Sequence, residues 1–331
     1  MRVCKDCFSD EELYREIDSN AENEGKCDIC GRRGKVIDVN DLYDFLSNVV
    51  NLFCKNPEAT ETITDILQND WNLFNNVHCA DIIVTEILDR MNPGFGLNDK
   101  VSYTHNIMDR IDVWSQLKKT VREEYRFFFE HNKFDEYADL TPTYILKAGA
   151  ILYRARITPM GQKRIRRANM GCPPSSKAVA GRANPVGIPY LYMCRDEKTT
   201  YYEVRAGYMD RLSIGTFMIN RDLEIVDFNS KASLYLAYNG GASLVDTVVR
   251  KKILEAISID LSKPLRRYDT ELEYIPTQLI CEYCKINGAD GICFDSSLHK
   301  NGLNYVLFNP ADATCIKVTS REIKNIDIDI C

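Results

Sequence analysis

The sequence predicts an α+β protein in three parts, and three observations carry that prediction. Two Cys-x2-Cys pairs lie within the first thirty residues. From Asn40 to about Asn132, apolar residues recur at helical spacing. Beyond about Thr141, short β-branched and aromatic segments are separated by Gly, Pro and Asn. The expected layout is a Cys4 zinc-binding knot at 1–38, an α-helical domain at 39–140, and at 141–331 a domain with a mainly antiparallel sheet and helices.

The knot comes first. Cys4-x2-Cys7 is followed by Cys27-x2-Cys30, with nineteen residues between the pairs. Two such pairs let four thiolates converge tetrahedrally on Zn²⁺. Gly31 suits the sharp turn beyond the second pair. A segment this short cannot build a core unaided, so a metal staple explains how it folds. Four thiolates close the coordination shell and make the expected zinc structural rather than catalytic.

In the helical part, Leu42, Phe45, Leu46, Val49 and Leu52/Phe53 follow the i, i+3, i+4, i+7 rule, with Asn40 or Asp41 as N-cap. Ile83, Ile87 and Met91 mark a second helix, stopped by Asn92-Pro93-Gly94. Met108, Ile111, Trp114 or Ser115, Leu117, Val121, Tyr125 and Phe128 mark a third, longer one. In the last part, strands are expected at 150–157, 190–193, 216–219, 225–228 and 305–308. Helices are expected near Leu244–Ile257 and Thr277–Ile286.

Composition narrows the function. The chain has 331 residues, 45% hydrophobic and 27% charged, and a net charge of −6. That balance excludes disorder and argues against non-specific wrapping of nucleic acid, leaving a local basic groove open. No apolar run approaches the ~18 residues of a membrane helix, and the Met1–Asp6 start lacks a leader's apolar core. Thirteen cysteines, an odd number, fit a reducing, cytoplasmic setting. Cys281-x2-Cys284 lacks a second pair and lies in a helical pattern, so core packing is expected there.

Several polar residues of the last part stand where chemistry would need them. Arg154 and Arg156 interrupt an apolar strand. Gly181-Arg182-Ala183-Asn184-Pro185-Val186-Gly187 is a loop whose glycines let backbone approach a ligand while Arg182 reaches a phosphate or carboxylate. Tyr190 and Tyr192 would share a strand face, available for stacking. Glu203 lies among aromatic neighbours. Asp290-Gly291-Ile292-Cys293-Phe294-Asp295-Ser296-Ser297 ends a strand in a polar turn, with Asn304 beyond.

In that order, Arg154, Gly-Arg-x-Asn at 181–184, Gly187, Tyr192, Glu203, Asp-Gly-Ile-x-x-x-Ser at 290–296, Asn304 and Phe308 resemble the RES-domain family over roughly residues 146–320. The stretch Glu273-Tyr274-Ile275-Pro276-Thr277-Gln278-Leu279 resembles it too. Ala183 departs from the aromatic residue common after Gly-Arg, and Asp295 from a frequent proline. The second departure leaves the serine role between Ser296 and Ser297; Ser296 is preferred. The resemblance implies an ADP-ribosyltransferase-like fold and an enzyme that consumes NAD as substrate, as a bacterial toxin or defence effector restrained by an antitoxin. It implies Glu203, Ser296 and Arg154 as catalytic residues, and Arg182, Tyr192, Tyr153, Asn184 and Asn304 as substrate-binding ones. A homo-oligomer is left open.

Arg126 and His131 match the Arg-x4-His spacing of HEPN ribonucleases, although three phenylalanines follow the arginine. The helical part is therefore also read as HEPN-like. The alternatives to an NAD-cleaving enzyme are a HEPN-type ribonuclease whose RES domain senses NAD, and an interaction module built on the zinc knot.

Overall fold

The computed structural model describes residues 1–126, 143–229, 232–263 and 271–325. The chain divides into two compact units, Met1–Val113 with Lys231–Lys252, and Trp114–Ser230 with Ile253–Cys331. The division falls inside the helix Leu244–Ser262.

The first unit opens with a three-stranded antiparallel sheet. Strand β3 (Arg33–Asp38) lies between β1 (Arg2–Cys4) and β2 (Asn23–Lys26). Behind it stands the helix Glu11–Asn20, which starts where the Asp10 carboxylate accepts the backbone N–H groups of Glu12 and Leu13. Helices Tyr43–Val50, Ile63–Asn69 and Val77–Met91 follow. Thr62 and Asp65 form a reciprocal capping box on the second of these, and Asn76 caps the third. Asn92 ends that helix in the left-handed conformation, as its Asn-Pro-Gly sequence foretold.

Two expectations for this region are corrected. The stretch from Asn40 is not wholly helical: β4 (Phe53–Lys55) pairs with β5 (Val101–Tyr103). Phe53 stacks on Tyr103 at 4.9 Å, a cross-strand contact that a helical count of apolar positions cannot register. The long third helix is two, His105–Ile111 and Val113–Glu123, interrupted at Asp112.

The second unit holds a mixed α+β architecture around an eight-stranded, mostly antiparallel sheet. Its strands are β6 (Thr143–Leu146), β7 (Ile151–Ile157), β8 (Leu191–Cys194), β9 (Arg211–Ile219), β10 (Leu223–Asp227), β11 (Gly291–Asp295), β12 (Leu303–Leu307) and β13 (Ala313–Glu322). They lie in the order β13-β9-β7-β8-β12-β11-β10-β6, with one parallel neighbour pair, β10 and β11. A parallel pair needs a long crossover, and the residues between β10 and β11 supply the helices Leu234–Asn239, Leu244–Ser262 and Ile275–Ile286. The sheet's buried side chains, among them Leu152, Leu191, Met193, Phe217, Ile225 and Leu307, form its core. At the centre, β7 meets β8 through one register pair, Tyr153 with Cys194. So brief a pairing leaves the two strands to diverge beside it. No helix among the described residues is long and apolar enough to cross a membrane.

Candidate active site and metal centre

Four neighbouring strands of the second unit, β7, β8, β12 and β11, with helix ends and loops beside them, build a cleft of about 520 Å³. Its walls include Tyr153 and Arg154 from β7, Tyr192 from β8, Gly181 and Arg182 from the loop before β8, Asn304 from β12, and Glu203. Glu203 is the last residue of the helix Glu197–Glu203, whose start is fixed by the Asp196 carboxylate accepting the Thr199 N–H.

Glu203 is held by two donors. Ser296 gives its hydroxyl proton to Glu203 Oε1 at 2.6 Å, and the Asn304 amide donates to the same oxygen at 2.8 Å. Ser296 Oγ in turn accepts the backbone N–H groups of Leu298 and His299, each at 3.2 Å. Asn304 is steadied from behind by the Cys194 thiol, which donates to its Oδ1 at 3.2 Å. The carboxylate therefore keeps Oε2 outside these bonds while its direction is fixed. Ser297 does something else: its hydroxyl donates to the Ser262 carbonyl.

Arg154 lies opposite in kind. Burial lowers the pKa of its guanidinium, and NH1 donates to the Tyr192 carbonyl at 3.3 Å. Among the described residues it meets no carboxylate within ion-pair distance. A desolvated cation compensated only by dipoles is a receptor for an anion. Arg182 reaches the cleft from the loop, with NH1 on the Asp260 carbonyl at 2.8 Å and its guanidinium over the Tyr274 ring at 5.2 Å. A guanidinium is a group that can meet a carboxylate or phosphate bidentately.

The loop is shaped by close packing. A Cβ on Gly181 would stand 2.6 Å from Asn184 Oδ1 and 2.7 Å from the Tyr192 hydroxyl, which only glycine avoids. Tyr192 donates to Asn184 Oδ1 at 2.8 Å and accepts the Ala183 N–H at 3.0 Å. Gln278 donates to the carbonyls of Gly181 and Asn184, and Thr277 to that of Arg182. The Tyr-Ile-Pro-Thr-Gln stretch picked out from sequence is thus the brace behind the Gly-Arg loop.

Of the residues expected to form the site, Glu203, Arg154, Arg182, Tyr192, Tyr153 and Asn304 line the cleft. Ser296 touches Glu203 from beside it. Asn184 is buried behind the loop, its amide donating to the Val179 and Pro185 carbonyls. Tyr190 lies just before β8 rather than on it, and packs on Phe308 at 5.0 Å. Sequence reasoning missed Arg205 and Lys263, which line the cleft together with Tyr274 of the stretch noted above. Arg205 takes φ +49°, a conformation uncommon outside glycine and asparagine. Arg154, Arg182, Arg205 and Lys263 bring the lining to four cations against one carboxylate, Glu203. In a chain of net charge −6, that is a local positive field.

A second candidate centre lies in the first unit. The sulfurs of Cys4, Cys7, Cys27 and Cys30 all fall within 4.8 Å of one another and could hold a metal ion. Sulfur separations are 3.4 Å for Cys4–Cys30, 3.6 Å for Cys7–Cys27 and 4.0 Å for Cys4–Cys7. A tetrahedron with ~2.3 Å zinc–sulfur bonds has edges of about 3.8 Å, so the donor set fits zinc. Gly31, at φ +73°, makes the turn after Cys30, and its N–H returns to the Cys27 carbonyl. Burial pushes the Cys4 thiol up to about 12 and raises Cys7 further. At Cys27 burial is outweighed by the N–H groups of Cys30 and Ile29, which bring the thiol down to about 7. The remaining described cysteines are free thiols. Cys281 and Cys284 are buried in the helix Ile275–Ile286, as core residues.

Arg126 is placed with its Nε on the Val121 carbonyl at 3.1 Å. His131 lies outside the described residues, and with it the Arg-x4-His pairing.

Comparison with known proteins adds the following. No curated protein matches the chain. Among solved structures it is similar to one titled "Crystal structure of the M.tuberculosis MbcT-MbcA toxin-antitoxin complex", at 11% identity and a TM-score of 0.31, covering 66% of this chain and 93% of that one. The family model described as RES domain matches residues 151–327, which contain every cleft residue named above. That match spans more than half of the chain, and the protein belongs to the RES domain family.

Proposed function

We propose that the second unit cleaves the nicotinamide–ribose bond of NAD, as a glycohydrolase, a phosphorylase or an ADP-ribosyltransferase. The observation that carries this reading is one oriented carboxylate, Glu203, in a cleft whose other charged lining residues are all cations. NAD presents the matching charges: a diphosphate for the arginines, and a ribose carbon that turns cationic as nicotinamide leaves.

On this reading Arg154 and Arg182 hold the diphosphate. As the C1′–N bond breaks, its electron pair goes to the nicotinamide ring, which leaves neutral. The ribose becomes oxocarbenium-like, and Glu203 stabilises the developing positive charge. Ser296 and Asn304 keep that carboxylate aimed. Tyr192 contributes an aromatic ring at the wall, and Tyr153 contributes another on β7. The acceptor then supplies a nucleophile to C1′; water, phosphate and a protein side chain are the three classes.

Two further parts belong to this proposal. The four-cysteine cluster holds a structural zinc in a knot at 1–38, ahead of a helical part at 39–140 and a catalytic domain at 141–331. An enzyme that spends NAD in its own cell works as a toxin or defence effector and requires a restraining protein partner. The test is incubation of the full chain with NAD, following free nicotinamide together with labelled acceptors. Nicotinamide release confirms the reaction class, and no release over a range of pH and phosphate rejects it.

A further inference from the structure

His299 is one of four histidines in the chain and belongs to none of the roles above. It lies in the loop Ser296–Gly302, which closes on itself: Ser296 N–H donates to the Gly302 carbonyl and Gly302 N–H to that of His299, each at 2.9 Å. Its imidazole packs on the helix that carries Glu203. The ring stacks on Tyr202 with centroids 4.8 Å apart and planes 10° from parallel. Nδ1 lies 2.9 Å from Thr199 Oγ1.

The direction of that hydrogen bond follows from proton counting. Thr199 Oγ1 also sits 2.7 Å from Asp196 Oδ2. Burial works against the charge of Asp196, but the hydroxyl and backbone N–H of Thr199, with His299 and Arg195 nearby, outweigh it and hold its pKa below the usual carboxylate range. An ionised carboxylate only accepts, and a hydroxyl has one proton, so the threonine proton goes to Asp196. Thr199 must then receive a hydrogen from His299, and Nδ1 carries it. Thr199 is fully buried, and a Cβ on Gly302 would stand 2.8 Å from its hydroxyl, so the loop is pressed against the helix at this point.

Helix and loop are therefore joined twice. At one join Glu203 meets Ser296; at the other His299 meets Thr199 and Tyr202, while the His299 N–H itself donates to Ser296 Oγ. We propose that His299 is a positioning residue, which pins the loop bearing Ser296 to the helix bearing Glu203 and so fixes the direction of the carboxylate. Its kinetic consequence rests on the NAD-cleaving reading; its structural content does not.

The test has two arms on the full-length protein. In the first, nitrogen NMR of ¹⁵N-histidine-labelled protein, above the imidazole's titration, assigns the tautomer, with the signal of position 299 identified by its loss in His299→Asn. Hydrogen on Nδ1 is expected; hydrogen on Nε2 overturns the proposal whatever the enzyme does. The second arm compares His299→Asn with His299→Phe. Asparagine can place an amide N–H where Nδ1–H stood, whereas phenylalanine keeps the stack on Tyr202 and donates nothing. Turnover in the Phe variant is expected to fall about tenfold to a hundredfold with KM for NAD unchanged, as misalignment without lost binding requires, and Asn to restore most of it. Equal turnover in the two variants overturns the proposal. Should the Phe variant unfold, Thr199→Val, which removes the acceptor hydroxyl, takes its place. A wild type that releases no nicotinamide removes the NAD reading, and the tautomer alone then decides the pin.

Discussion

Ser296 and Glu203 meet through a 2.6 Å hydrogen bond across 93 positions of sequence. The serine donates, so its oxygen is left to accept the two backbone N–H groups of its own turn. The carboxylate is thereby fixed through one oxygen while the other remains outside the bond.

Glu203→Gln keeps the shape of that group and deletes its charge. Because the charge is needed most in the transition state, turnover should fall on the order of 10²–10³ while NAD affinity changes little. Nicotinamide release and NAD titration on the same preparation check both halves. A Gln variant with wild-type turnover removes Glu203 from the mechanism.

Arg182→Ala should differ in kind. A phosphate clamp acts on bound substrate as well as on the transition state, so NAD affinity should drop about tenfold or more, in keeping with loss of a charge-assisted hydrogen bond. Calorimetric titration with NAD reads this directly, and unchanged affinity would place the diphosphate elsewhere.

Gly181→Ala should destabilise the second unit by about 1–3 kcal/mol, since the new methyl overlaps Asn184 Oδ1 and the Tyr192 hydroxyl. Combining it with Tyr192→Phe removes one of the two clashes. The pair should therefore be less destabilising than the sum of its single changes in denaturant unfolding.

For the Cys4 centre, purified protein should carry one equivalent of zinc, lost in Cys27→Ser/Cys30→Ser. Metal binding must displace protons from thiols such as Cys4, which sits near pKa 12 without metal. Protons and zinc compete, so zinc should be released as pH falls and retained as it rises. A chromogenic chelator followed across pH measures this, and a metal-free wild type with a stably folded first unit would contradict it.

Arg126→Ala and His131→Ala should leave NAD cleavage largely intact. If either abolished an RNA cleavage that the wild type performs, the ribonuclease alternative would take precedence.

Much of this was legible from spacing. The two Cys-x2-Cys pairs announced their own geometry, and the Gly181–Asn184 loop announced a close approach that the Tyr192 contact explains. What was hidden depends on pairing across the chain. The β4–β5 ribbon is three residues a strand, too short for alternation to show. Arg205 and Lys263 enter the cleft through a left-handed turn and a helix end, and neither leaves a pattern in sequence. Asn184 was assigned to the substrate because the Gly-Arg-x-Asn stretch resembles the family's. In the fold, it faces the loop's own carbonyls and Tyr192.

The order of strands around the site has a consequence for synthesis. The cleft draws on β7, β8, β11 and β12, and the last of its lining residues, Asn304, comes 150 positions after Arg154. Pairings of such long range form late, because the closing loop costs entropy before any contact repays it. A chain still on the ribosome, with β12 unmade, would hold Arg154, Arg182 and Glu203 but lack the strand that aligns them. On the proposed reading, a chain without β12 would carry the charged residues of the cleft without the geometry that cleaves NAD.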